Sequence, residues 1–547
     1  KDSWPGAGSG VPTYPADKFV VAGSWVYYRG TDGIGGLELW RSDGSSGGAE
    51  LVGDVNPAGD SMASPLAAAG GWLFFAADDG VHGLELWRTD GSTTQLVRDA
   101  IPGPQGSFGT GTSSSSYLSV GLDDRIVYEG ASLDSGGEPW VSNGTESGTF
   151  MLSDINQFTQ GATVQWLQDR GDTLLFGAYS GDTGQELWHS DGTEGGTSLL
   201  ADLVPGVESS SPITNLATSN GKTFFRARTP ATGFEIWMTD GTADGSHLVA
   251  DLTPGPSSTT IETVGAAAGR LFFLRSTSAE GKELWISDGT EVGTHIVRDI
   301  CPGVCPGVAT PEQATVLPTG VAVFFAATDS GSPGLWRSDG TEGGTLQLLS
   351  PDTFADGGTG ARFAVAGGAA YCVILDVHGR ELWRTDGSED GTRLVRDICP
   401  GPCSMGGMSS IWMKPFGEQL LLRADDGSGP QLWISDGSEA GTRPLGPAGG
   451  SGRVNAPGRP LVQGPVAYVP SVGDSADVFE IWVTDGTDEG TIRKVAQIPA
   501  GSGGIPAPVA AWDGEVLMLS GKTFWMSRGF TAEPIWTHTF DRVDQVE

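Results

Sequence analysis

The chain has 547 residues, with 31 Lys and Arg against 67 Asp and Glu. The resulting net charge of −36 argues against nucleic acid and anionic membrane surfaces as partners, since both are held through Lys and Arg. Gly is abundant at 86 residues, yet 18 Trp and 21 Phe supply what a disordered chain lacks, and no apolar stretch approaches the roughly 20 residues of a membrane helix.

Residues 1–17 read as an N-terminal extension. They contain no apolar segment of the kind a signal peptide carries, so any such peptide is expected to have been removed already. Residues 18–547 read as repeats. Trp recurs at Trp40, Trp87, Trp140, Trp188, Trp237, Trp285, Trp336, Trp383, Trp433, Trp482 and Trp525, with a mean step of 48.5 residues and extremes of 43 and 53. The first ten stand in versions of Glu-Leu-Trp-x-Ser-Asp-Gly-Thr-x-x-Gly-Thr, as in Glu186 to Thr193 and Glu283 to Thr290. The eleventh, around Trp525, keeps the Trp and loses the Asp-Gly.

Each unit reads as four short strands. The second unit shows the first two, a weak one at Leu66–Ala69 and a strongly apolar one at Trp72–Phe75. The third strand is Glu-Leu-Trp. The fourth is Leu-Val-x-Asp-Ile, as in Ile296 to Ile300. Gly-rich turns separate the strands, and no segment holds a 3.6-residue apolar period. Four strands per 48 or so residues predict an all-β chain of β-propeller blades. The even Trp spacing leaves no visible linker. We therefore expect a single propeller of about eleven four-stranded blades; the alternative is two propellers of five and six.

The repeated Trp is expected in the core between blades rather than on a sugar-stacking surface. Glu38, Glu85, Glu138, Glu186, Glu235, Glu283, Glu381 and Glu480 precede Leu-Trp or its equivalent and share a strand face with the Trp. A carboxylate buried there needs a hydrogen-bond donor or a metal. Backbone N–H or a neighbouring Arg is the expected donor. Asp43, Asp90, Asp191, Asp240, Asp288, Asp339, Asp386, Asp436 and Asp485 stand in the Asp-Gly turns, where a carboxylate accepts bonds from N–H groups two or three residues on. Asn143 fills that slot in the third unit and can make the same bonds. A second Gly five residues after the Asp is expected to let the hairpin close. These turns should gather on one rim. Several carry a further carboxylate, as at Glu194 and Glu291, so Ca²⁺ is a candidate ligand, although no cofactor is required by the sequence.

Five cysteines remain. Cys301–Cys305 and Cys399–Cys403 sit in matching Cys-Pro-Gly-x-Cys turns and are expected to form two short disulfides, which imply an oxidising compartment. Cys372, in Ala-Tyr-Cys-Val-Ile, reads as a small buried hydrophobe. The six His are scattered. His82 and His378 alone share a slot, in Val-His-Gly-x-Glu-Leu-Trp.

With these motifs the chain resembles the bacterial ELWxxDGT repeat family, from about Lys18 to Phe540. The resemblance implies a secreted or surface-exposed propeller-like repeat protein and brings no catalytic residues with it. The Asp-Gly turn also loosely resembles the Asp-box of sialidase and sortilin propellers, although here Gly follows Asp directly and no aromatic closes the motif. The leading functional expectation is a secreted, non-enzymatic scaffold that binds a protein or glycan at a propeller face. The alternative is a lectin-like propeller using aromatics such as Trp166 and Trp412. A hydrolase or lyase with its site at the central opening is the third reading.

Overall fold

The computed structural model describes residues 19–43, 49–108, 118–157, 161–171, 173–210, 213–303, 307–328, 333–353, 362–377, 379–399, 412–446, 454–472, 478–499, 505, 507–512, 515–520, 523–528 and 531–537. Among them, eleven four-stranded antiparallel sheets follow one another along the chain, and in each the strands are hydrogen-bonded in chain order. The sixth sheet is representative, with strands Ile261–Ala267, Arg270–Thr277, Gly281–Ser287 and His295–Ile296. The only helical turns among the described residues are two short 3-10 segments, Pro311–Gln313 and Pro351–Thr353. These sheets are the blades anticipated from the 48.5-residue period.

Local chemistry explains the strand boundaries. In several blades the first and second strands meet at two-residue turns in which both residues have positive φ, such as Asn220 (49°) and Gly221 (73°). Such turns twist in the sense that hairpins need. Second and third strands pair across the middle of the blade with aromatic partners opposite one another: Phe75 with Trp87, Phe225 with Trp237, Phe273 with Trp285, and Phe324 with Trp336.

The core lies between blades. Phe74 and Leu86 of the second blade pack with Ile126, Tyr128 and Trp140 of the third. Phe224, Ile236 and Met238 of the fifth pack with Leu271, Phe273 and Trp285 of the sixth. Phe272, Leu284 and Ile286 of the sixth then meet Phe324 and Trp336 of the seventh. Equivalent clusters join each remaining blade to the next. Among the described residues every pair of consecutive blades shares such a cluster.

From Trp87 to Trp482, each repeated Trp packs against the blade before its own. Trp40, Trp140, Trp237, Trp285, Trp336, Trp433 and Trp482 are buried. Trp87, Trp188 and Trp383 are half-buried and pack against the same kind of interblade cluster. Trp525 lies in the strand Thr523–Arg528, and its side chain is outside what is described. Cys372 is free and fully buried opposite Trp383, and burial pushes its thiol well above the usual range. The pairings Cys301–Cys305 and Cys399–Cys403 each involve a residue outside the described ones.

Candidate functional site

Two polar devices recur in every typical blade. The first is the Asp-Gly turn between the third and fourth strands. In the fourth blade, the Thr193 N–H (2.9 Å) and the Thr193 hydroxyl (2.6 Å) both donate to Asp191 Oδ1. Thr193 in turn accepts from the Gly196 N–H through Oγ1 at 3.0 Å and from the Thr197 hydroxyl through its carbonyl at 2.7 Å. Ser190 Oγ lies 2.7 Å from Thr197 Oγ1 and accepts from the Gly192 N–H at 3.0 Å. The same bonds to the residue two on recur at Asp90, Asp240, Asp288, Asp339, Asp386, Asp436 and Asp485. Asn143 makes them as well, through Thr145, so the turn needs an oxygen acceptor and not a charge.

The second Gly has a different cause from the one the sequence suggested. A Cβ on Gly196 would lie 2.0 Å from Asp191 Oδ1, so the carboxylate occupies the space a side chain would need. Gly245, Gly293, Gly344, Gly391, Gly441 and Gly490 meet their own Asp in the same way. We expect Gly196→Ala to displace the Asp191 carboxylate and destabilise the turn by about 1–3 kcal/mol. Asp191→Asn should stay within about 0.5 kcal/mol of the parent, as Asn143 already does this work. Urea unfolding followed by Trp fluorescence measures both, and equal losses would contradict this account.

The turn bonds hold most of these carboxyls below the ordinary range. At Asp90 the donors Thr93 N–H, Ser92 hydroxyl and Ser92 N–H bring the carboxyl to about 2. The hydroxyl two residues on is the main cause at Asp191, Asp240, Asp339, Asp386, Asp436 and Asp485.

The second device is the Glu that opens the third strand. It reaches the connector leading to the next blade, 16 to 24 residues further on. Glu38 accepts from Val55 N–H (3.1 Å) and Ser61 N–H (2.9 Å). Glu138 accepts from Ile155 and Asn156, and Glu186 from Leu203 and Ser210. Glu85 takes Ile101 N–H and the Ser107 hydroxyl, and Glu235 takes Leu252 N–H and the Thr259 hydroxyl. Glu283 and Glu381 take Cys301 and Ile398 N–H. Glu480 accepts from the indole of its own Trp482 at 3.2 Å. Backbone N–H, one of the two expected donors, is therefore the rule. Burial raises the carboxyls of Glu38, Glu138, Glu186, Glu283 and Glu381 to about 7 against the pull of these donors. Glu85 and Glu235 are raised for the same reason.

A third device was missed in the sequence. The Arg of Leu-Val-Arg-Asp or Ile-Val-Arg-Asp crosses to the next blade, stacks on its Trp and donates to a carbonyl of its Asp-Gly hairpin. Arg298 lies 5.6 Å from the Trp336 ring and donates to Thr345 O at 3.0 Å. Arg98 and Arg396 do the same to Trp140 with Thr149 and to Trp433 with Thr442. The signal was the shared Arg at these three positions; its target in the following unit was not visible.

Among the described residues, no three His, Cys, Asp or Glu side chains gather where they could hold a metal ion. His82 Nδ1 lies 2.6 Å from Asp79 Oδ2, in the turn between second and third strands, while His378 lies outside the described residues. Trp412 corrects its reading as an exposed stacking surface: it is buried and its indole donates to Pro457 O at 3.0 Å. Trp166 lies in the strand Gln165–Asp169, and its side chain is outside what is described.

A groove of about 650 Å³ crosses the eighth, ninth and tenth blades on the face that carries the Asp-Gly turns. Its walls include Phe416, Glu418, Gln419, Asp436, Pro465 and Asp485. Glu418 belongs to a turn between first and second strands, and the two Asp to turns between third and fourth strands.

No protein-family model and no curated protein matches the chain. Among solved structures, it is similar to the GH74 xyloglucanase of Xanthomonas campestris, with 13% identity over 96% of this chain and 86% of that one, at a TM-score of 0.26. The tricorn protease is 9% identical over 96% of this chain and 63% of that one, at 0.28. TolB from Acinetobacter baumannii is 12% identical over 62% of this chain and 79% of that one, at 0.24. Superpositions this loose carry no argument, and the blade architecture rests on the strand pairing and the interblade packing.

Proposed function

We propose that the chain is a secreted, non-enzymatic binding scaffold of the ELWxxDGT type, which presents a rigid propeller face to a ligand. One observation carries this reading: where the recurrent polar groups go. From Asp90 to Asp485 the Asp of each turn is bonded to its own hairpin, and most of the repeated Glu are bonded to their own connector. Groups so engaged build blades, and recognition is left to residues that break the repeat, as at the groove over blades eight to ten. The Cys-Pro-Gly-x-Cys turns and the acidic balance support an extracellular setting.

A thermal-shift screen of the purified chain against glycans, peptides and small metabolites tests the reading, run beside chromogenic glycoside, ester and peptide substrates. We expect stabilisation by at least one ligand class and no turnover. Turnover that copurifies with the chain would overturn the proposal.

A further inference from the structure

The repeated Trp carries a polar group that the blades leave over. In each of the first seven blades and in the ninth, from Trp40 to Trp433, the indole N–H is buried without a hydrogen-bond partner. Trp383 and Trp482 show the alternative: their indoles donate to Asp376 Oδ2 at 3.0 Å and to Glu480 Oε2 at 3.2 Å. A buried donor without an acceptor is costly, and here the same one recurs at a single position of the repeat. Acceptors are left over as well. Asp99 Oδ1, Asp251 Oδ1, Asp397 Oδ1 and Glu283 Oε2 are buried without a donor. Asp397 stands in the eighth blade, whose indole is already bonded. In the second, fifth and sixth blades, donor and acceptor are left over together. They are neighbours in space. Glu85 and Trp87 share one face of the third strand, and the pairing of Leu86 with Arg98 sets Asp99 across from Glu85. The pairing of Ile236 with Ala250 sets Asp251 across from Glu235 in the same way. Burial raises the Glu85 and Glu235 carboxyls first, and the charges of Asp99 and Asp251 raise them further, so the two carboxyls of each blade lie close. The indole points toward them. In the tenth blade Nε1 reaches the Glu two residues earlier, and in the seventh a Cβ on Gly334, at that same position, would lie 3.3 Å from Trp336 Nε1.

We propose that each of these eight blades encloses one ordered water molecule, which accepts from the indole N–H and donates to the carboxyl oxygen left over beside it: Asp99 in the second blade, Asp251 in the fifth and Glu283 in the sixth. Chemistry selects water. The occupant must accept from an indole, which only donates, and must also donate to a carboxyl oxygen. A metal ion or an ammonium group cannot accept. Buried water molecules characteristically pair polar groups that the fold leaves over, making about three hydrogen bonds each. Where a carboxyl takes the indole directly, as at Trp383 and Trp482, no water is needed there. The repeat thus encloses a solvent molecule as a fixed part of the blade, and this holds whatever ligand the scaffold binds.

A high-resolution crystal structure of the full chain tests this. We expect a solvent peak about 2.7–3.2 Å from both Trp87 Nε1 and Asp99 Oδ1, and another between Trp237 Nε1 and Asp251 Oδ1, with none at the indoles of Trp383 and Trp482. Nuclear magnetic resonance of the chain with isotope-labelled Trp asks the same in solution. Cross-relaxation between the indole proton and water should appear for Trp87 and Trp237 and be absent for Trp383 and Trp482, with single Trp→Phe replacements assigning the signals. This contrast lies within the parent protein and does not depend on a variant that folds. Asp99→Leu removes the acceptor and should abolish the water signal of Trp87, whereas Asp99→Asn, which keeps an acceptor oxygen, should retain it. Empty sites or direct indole–carboxyl bonds in the second and fifth blades would overturn the proposal. So would a peak ringed by about six oxygens, as a cation would be, water signals at Trp383 and Trp482 equal to those at Trp87 and Trp237, or an undiminished Trp87 signal in Asp99→Leu.

Discussion

Replacing Glu38 by alanine is expected to lower stability by about 2–5 kcal/mol and to loosen one connector selectively. The substitution strips the acceptor from the Val55 and Ser61 N–H groups, and a buried donor without a partner costs about 1–3 kcal/mol. Ser61 is fully buried, so water does not readily replace the lost oxygen. Removing a buried carboxylate also relieves its own desolvation, which keeps the loss from growing further. Glu38→Gln should fall between, because its amide retains one acceptor oxygen. Hydrogen exchange locates the effect: amides from 54 to 62 should exchange faster, and those of the sixth blade should not change. A uniform acceleration through all blades, or none at residues 54–62, would contradict the clamp.

Stability should also peak in mildly acidic solution. Glu38, Glu138, Glu186, Glu283 and Glu381 are held at about 7 by burial, above the ordinary carboxyl value of 4.5. Between these values the folded chain binds more protons than the unfolded one. Their contribution is therefore fully present below about 4.5 and is lost as pH rises through 7. The turn carboxyls act in the opposite sense. Asp90 at about 2, with the other lowered Asp residues, contributes stability above the ordinary value of 3.8 and loses it as pH falls toward 2. Self-repulsion within a chain of charge −36 adds to the decline on the neutral side. We expect a melting temperature at least about 4 °C higher at pH 5 than at pH 7.5, falling again below pH 3. Glu38→Gln should flatten part of the slope between pH 5 and 7.5. A melting temperature that rises over that interval would show that the buried Glu are ionised at little cost.

The blade repeat was legible because Trp, Asp-Gly and the apolar second strand recur at fixed spacing, and each has a single physical role. The Asp turn was legible for the same reason: its donors lie two and three residues away. The target of the Glu was not, since its donors are mostly backbone groups 16 to 24 residues on, at positions as different as Val55, Ile101 and Leu203. A backbone N–H leaves no mark in the side-chain sequence. The register shift that places Leu86 and Trp87 across from Arg98 and Leu96 recurs in other blades and was equally silent, because a bulge here needs no Gly. The reason for the second Gly was hidden too, being a contact with the Asp five residues earlier.

Particle images of the purified chain viewed down the propeller axis test the central claim most directly. The interblade clusters run without a break from the first sheet to the eleventh. Trp40 has no preceding blade in the chain, yet it is 5% exposed, much like Trp140 at 4%, which the second blade covers. One closed ring of eleven blades, with the eleventh seated against Trp40, is the result expected. Two smaller rings of five and six blades, or an open arc with the first and last blades apart, would contradict it.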